Sequence, residues 1–201
     1  SYNEVFHIPL IICHPYIKRG RCDALTQNID ILPTVLDCFG ISESVIPYKL
    51  HGKSLMPVIK KETCSVHDVV LYGYFGHEVN VNDGNYVYMR AAKDETNKPL
   101  NVYTAMPTLL RQQIGADDGC MVSDYDKIET GRYLKWTEYP VFRFSSDIVN
   151  FTNWSQSFEY RKEYNKETRL YDLKKDYLQE NPIKDDKLEK EMTEKLIKAM
   201  K

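Results

Sequence analysis

Residues Phe6 to Cys13 form a near-continuous apolar run, interrupted by His7 and Pro9 and closed by His14-Pro15. A run of this length without polar alternation suits a strand buried on both faces, as in a parallel sheet. A parallel strand needs neighbours, and nothing between this run and His67 reads as a second strand. The sequence therefore predicts a chain that opens inside an architecture whose other strands are encoded elsewhere, a fragment of a larger domain.

From Thr26 to Ile41 the pattern turns helical. Asp30 is placed as an N-cap, Pro33 falls in the first turn where its missing N–H costs nothing, and Gly40 suits the C′ position. Ile31, Leu32, Val35, Leu36 and Phe39 make the apolar stripe. Residues 42 to 66, with Pro47, Gly52 and Pro57, read as loop. After His67 the period becomes that of strands: Asp68 to Phe75, the turn Asn82-Asp83-Gly84-Asn85, Tyr86 to Arg90, and a third strand at Asn101 to Thr104. Short connections predict antiparallel pairing. A short helix is predicted at Thr108 to Ile114 and a strand at Thr168 to Leu173. Leu188, Met192, Leu196 and Met200, at steps of four, define one face of a terminal helix. The expected architecture is an α/β remnant over residues 1–66, then an α+β C-terminal subdomain over 67–201 with an antiparallel sheet and a terminal helix.

The formal net charge is −2, with lysine and glutamate spread along the chain, so no basic patch points to a nucleic-acid partner. No apolar run approaches the ~18 residues of a transmembrane helix, so no membrane partner is expected. The five cysteines (Cys13, Cys22, Cys38, Cys64 and Cys120) lack C-x-x-C spacing, which argues against a zinc ribbon or a disulfide framework. Cys13 and Cys38 sit in apolar runs and are expected to be buried. This usage points toward a reducing, cytoplasmic compartment. Fifteen tyrosines suit half-buried strands, with a carbohydrate-facing surface as the alternative role. No P-loop, G-x-S-x-G, H-E-x-x-H or dinucleotide fingerprint is present, and the five histidines are scattered.

The specific signal is a series of short motifs in one order. They are Y-N-E-V-F-H-I-P-L-I-I from Tyr2, L-T-Q-N-I-D-I-L-P-T-V-L-D-C-F-G-I from Leu25, and H-G-K-S-L-M-P from His51. Last comes Leu170-Tyr171-Asp172-Leu173 with Asp176, Gln179, Glu180 and Asn181. Together they resemble the formylglycine-dependent sulfatases of the alkaline phosphatase-like superfamily, in the motifs Y-E-x-x-x-R-V-P-L-I, D-I-x-P-T-L-L-x-x-x-G-I, G-x-S-L-x-P and L-Y-D-L-x-x-D-P-x-E-x-x-N. Asn80 to Gly84 with Tyr86-Val87-Tyr88 resembles a hairpin of some bacterial members. The likeness spans residues 1 to 66 and 168 to 200 well and the middle loosely. It makes the α/β remnant the end of an alkaline phosphatase-like sheet and the chain the C-terminal portion of a bacterial sulfatase.

The resemblance implies a parent enzyme, an arylsulfatase-like sulfuric ester hydrolase. Its formylglycine arises from the cysteine or serine of a C/S-x-P-x-R motif, and a divalent cation, usually calcium, neutralises the sulfate oxygens. No such motif occurs here, and the family's metal-binding aspartate segments are unmatched. No catalytic residue, metal ligand or cofactor is therefore carried onto this chain, which is expected to be inactive alone. The family's catalytic lysine precedes the tyrosine matching Tyr2. What this part would contribute is the shape of the substrate cleft, with His77, Glu78 and Asn80 as the first substrate-binding candidates and His51 and Lys53 as the second. Expected partners are an N-terminal catalytic portion, a sulfate ester (carbohydrate esters included) and a second copy through the exposed remnant. The alternatives are a fragment of a phosphodiesterase or phosphonate monoester hydrolase of the same superfamily, and a non-catalytic binding module.

Overall fold

The computed structural model describes residues 2–13, 17, 19–94, 97, 99–105, 128–135, 137–145 and 167–201. The elements in chain order are α1 (Asn3–Phe6), α2 (Ile31–Cys38), α3 (Met56–Ile59), β1 (Val70–Tyr72), β2 (Val79–Asn82), β3 (Tyr86–Arg90) and β4 (Asn101–Thr104), followed by β5 (Glu129–Gly131), β6 (Val141–Ser145), β7 (Arg169–Asp172) and α4 (Asp186–Ala199). Among the described residues the fold is α+β, with two antiparallel sheets and a C-terminal helix. It divides into two units: Ser1–Gly73 with Val79–Arg90 and Thr168–Lys201, and Tyr74–Glu78 with Ala91–Glu167. This division does not follow the change of pattern at residue 66. Both ends of the chain share the first unit.

In the first unit the strands run β1-β2-β3-β7, each antiparallel to its neighbour. The β2–β3 turn is held by its own side chains. Asn82 Oδ1 accepts from Gly84 N at 2.6 Å, and Asp83 Oδ1 accepts from Asn85 N at 2.9 Å and Tyr86 N at 2.8 Å. Gly84 takes φ +87°, where a side chain would strain the backbone. Lys195 of α4 reaches Asp83 Oδ2 at 2.7 Å and ties the helix to the hairpin. Burial alone would raise the Asp83 pKa, but the Lys195 ammonium and the Tyr86 and Asn85 N–H groups outweigh it, so the carboxyl lies below its ordinary value.

Helix α4 begins where Asp185 Oδ1 accepts from Leu188 N at 3.0 Å. Its face bearing Leu188, Met192 and Leu196 packs on Val81, Tyr88 and Leu170. Each fully buried side chain of this kind contributes roughly 1.5–3 kcal/mol. Tyr88 puts a hydroxyl into this contact, donating to Glu189 at 3.2 Å and accepting from Arg90 at 2.9 Å. The opposite face of the sheet carries Val87, Met89 and Tyr171, against which Tyr2, Tyr72 and Leu173 pack.

The second unit pairs β4-β6-β5, also antiparallel. Arg143 on the central strand faces Tyr103 on one side and Glu129 on the other, forms an ion pair with Glu129, and lies 4.7 Å above the Tyr133 ring. Cross-strand pairs of this kind stabilise a sheet. Val141 and Phe144 are buried.

Four expectations change. Residues 8–13 form no strand and are exposed. Pairing needs a free neighbouring backbone, and both edges of the four-stranded sheet already take other bonds: Leu71 O from Gln27 Nε2 at 2.7 Å, Leu170 O from Ile183 N at 2.8 Å. Helix α2 forms and ends at Gly40 with φ +66°, yet it buries Pro33, Thr34 and Leu36, while Ile31, Leu32, Val35 and Phe39 face outward. Cys13 and Cys38, expected inside, share that exposure. Val79–Asn82, where no strand is predicted and only the turn from Asn82 is read, form β2 between β1 and β3. The predicted Thr108–Ile114 helix and Cys120 lie outside the described residues.

Candidate functional site

Two polar clusters flank a concavity of about 1480 Å³ in the first unit, whose lining includes Asn3, His7, Ile11, Gln27, Leu71 and Tyr177. The first cluster centres on Asp30. It precedes α2, as the helix pattern predicts, but its carboxylate makes no cap bond to that helix. The side chain turns back instead. Oδ2 accepts from Gln27 N at 2.7 Å, and Oδ1 accepts from Lys53 N at 2.9 Å. His67 Nε2 lies 2.9 Å from both oxygens. Asp30 is fully buried, so this full set of partners is what offsets the cost of desolvating its carboxyl oxygens there.

The neighbouring backbone is shaped to the same end. Gly52 lies so close to Ile29 that a β-carbon would overlap its carbonyl group. This approach carries Lys53 N to Asp30. Thr34 Oγ1 donates to Asp30 O at 2.5 Å and accepts from Leu55 N at 2.8 Å, joining α2 to the same loop.

The second cluster joins the two ends of the chain. Asn3 N donates to Gln179 Oε1 at 2.6 Å, and Asn3 Nδ2 donates to Tyr177 O at 3.2 Å. His7 Nδ1 lies 2.8 Å from the Tyr177 hydroxyl. Arg169 donates to the Tyr2 hydroxyl at 3.0 Å, and the Tyr2 ring meets Tyr171 edge-on. Burial, with the neighbouring Tyr2 phenol, pushes the Tyr171 pKa up to about 12 against the opposing pull of Arg169. Gln179 is buried at 2% exposure with φ +58°, a left-handed conformation that costs a side-chain-bearing residue roughly 1–2 kcal/mol. Its Nε2 is buried with no hydrogen-bond partner among the described residues.

The predicted site residues separate. His77 and Glu78 belong to the second unit and are buried; Asn80 is on β2 of the first unit, also buried, with Nδ2 donating to Tyr72 O at 3.2 Å. His51 and Lys53 are exposed beside Gly52, and Lys53 Nζ donates to Val66 O at 2.9 Å. Sequence reasoning gave no role to His67, which meets Asp30 across 37 residues that hold no shared local pattern. Gln179 follows the Leu170–Leu173 motif, and nothing in the sequence signals its left-handed backbone.

Chemically, these clusters organise the backbone. Among the described residues no group of three or more His, Cys, Asp and Glu side chains is placed to hold a metal ion. The Asp30 oxygens are already committed to N–H partners, so this set does not fit a calcium site. The first unit is thus a mixed α+β unit in which a buried carboxylate clasp and the joined chain ends hold the loops in place. The chain belongs to the sulfatase family described as N-sulphoglucosamine sulphohydrolase, C-terminal, which it matches over residues 1–106. No curated protein matches it.

Proposed function

We propose that the chain acts as the C-terminal part of a sulfuric ester hydrolase that takes sulfated sugars, with the nucleophile and the metal carboxylates supplied by sequence N-terminal to Tyr2. The observation that carries this reading is the family match over residues 1–106, in a sequence that has no C/S-x-P-x-R motif. The formylglycine and the calcium ion expected for the parent would then both be held outside these 201 residues. The exposed side chains Ile8, Leu10, Ile11 and Ile12 would be covered by that catalytic portion. His51 and Lys53, being exposed, are the candidates in the first unit to touch the organic part of the substrate.

Without an oriented nucleophile and its electrostatic support, the bulk of the rate enhancement is lost. The test is hydrolysis of an aryl sulfate and of a sulfated glucosamine, with and without calcium, by this chain and by the protein extended through the coding sequence preceding Ser1. Turnover by the extended protein alone supports the reading. Turnover by a contaminant-free preparation of the 201 residues overturns it.

A further inference from the structure

We infer that Gln179 is a positioning residue, through which the turn Asp176–Asn181 grips Asn3 and sets the direction from which the chain arrives at Tyr2. The inference rests on the proposal that the catalytic groups lie N-terminal to Tyr2, because that sequence would then reach this unit through the gripped segment.

The turn is built independently of the Gln179 side chain. Asp176 Oδ1 accepts from Glu180 N at 3.1 Å, its Oδ2 accepts from Asn181 N at 2.8 Å, and its carbonyl accepts from Gln179 N at 3.1 Å. The side chain of Gln179 has another task. Its Oε1 holds the backbone N–H of Asn3, at the start of a helix too short to order itself. Tyr177 O and the Tyr177 hydroxyl fix Asn3 and His7 from the same turn, and Arg169 fixes Tyr2 from β7. Residues 8–13, directly after this grip, form no helix or strand. These polar contacts of segment 2–7 thus come from residues more than 160 positions away in sequence, while the Phe6 ring rests 4.9 Å from that of Tyr72.

Gln179 is a poor choice for stability alone. Glycine would occupy φ +58° without strain and would bury no unpartnered side-chain amide nitrogen; what it would lose is the acceptor for Asn3 N–H. Strain concentrated on one buried polar side chain, aimed at one backbone N–H, marks a position kept for geometry.

The test uses Gln179→Ala, Gln179→Gly and Gln179→Glu in the sulfatase that contains this chain together with its preceding sequence. The expected result for Ala and Gly is a fall in kcat on the order of ten- to a hundredfold with KM nearly unchanged, the signature of misplaced catalytic groups. Gln179→Glu, which keeps the acceptor, is expected to restore most of kcat. Gln179→Gly relieves the left-handed backbone but leaves Asn3 N–H without its acceptor, so it is expected to melt close to the wild type while losing activity, a combination that a purely structural residue would not give. In the 201-residue chain, amide exchange at Asn3 is expected to accelerate in Gln179→Ala. Unchanged kcat in the Ala and Gly variants, or unchanged Asn3 exchange, overturns the inference. A wild-type enzyme without turnover overturns the proposed function and the catalytic part of this inference with it. The exchange readout then still decides whether Gln179 holds Asn3.

Discussion

Asp30 and His67 meet in the interior, with Nε2 of the histidine 2.9 Å from each carboxylate oxygen and the two side chains 0% and 9% exposed. The carboxylate also accepts from the backbone N–H groups of Gln27 and Lys53, so one side chain closes the turn before α2, the loop at Gly52 and the approach to β1. Removing it strands three donors; removing the imidazole leaves the carboxylate with two. Asp30→Ala is expected to cost about 3–5 kcal/mol, and His67→Ala roughly 1.5–3 kcal/mol. Urea unfolding monitored by circular dichroism measures both. A cost for Asp30→Ala no larger than that of an ordinary surface substitution would show that the clasp does not hold the unit together.

The clasp depends on a close backbone approach, which gives a second, steric prediction. At Gly52 a β-carbon would overlap the carbonyl of Ile29, and the obstacle is main chain, which cannot swing aside. At Gly20 a β-carbon meets nothing within 4 Å. Gly52→Ala is therefore expected to lose at least about 2 kcal/mol, through displacement of Lys53 N from Asp30. Gly20→Ala is expected to be neutral within roughly 0.5 kcal/mol. Equal melting temperatures for the two variants would contradict this account.

What the sequence disclosed and what it hid divide along physical lines. The Asn82–Asn85 turn, β3, the end of α2 at Gly40 and the apolar face of α4 were legible, because each is written in turn chemistry or in a short period. Asp30 was legible as a residue at a helix start, but its partners were not: Lys53 and His67 reach it from loops with no periodic signal. The apolar stripe of α2 identified a helix but not the face it buries, since Thr34 and Leu36 face inward and Ile31 and Phe39 do not. Hydrophobic pattern reports what a face is able to contact. It does not say whether the contacting surface lies within the same chain.

The Tyr171 phenol gives a prediction in pH. Its pKa, pushed up to about 12 chiefly by burial, lies above the ordinary tyrosine value of 10.0 found in the unfolded chain. A raised pKa means that the folded state holds this proton more tightly. The stability it contributes is complete below pH 10 and is lost as the pH rises from about 10 toward 12. A difference of this size corresponds to on the order of 2 kcal/mol. Unfolding free energies measured across that window should fall for the wild type and fall less for Tyr171→Phe. Identical slopes would assign the alkaline loss to other groups.

The exposed run beside the concavity governs how the isolated chain behaves in solution. Ile8, Leu10, Ile11 and Ile12 are 55%, 45%, 89% and 44% exposed, and with Ile29 and Ile31 at 50% and 46% they line one concavity with exposed apolar side chains. Residues 8–13 belong to no helix or strand, which suits them to pair with another extended segment. A second copy of the chain offers the same segment. The isolated chain is therefore expected to self-associate at tens of micromolar, with a mass by light scattering above the 23.6 kDa of the monomer and rising with concentration. Ile11 is the most exposed of these residues, so Ile11→Lys adds a charge where a partner would sit without removing a packed side chain. It should move the population toward monomer and leave the circular dichroism spectrum unchanged. A wild-type chain that stays at the monomer mass across the whole range would show that these side chains remain solvated, and the lysine variant would then have nothing to dissociate.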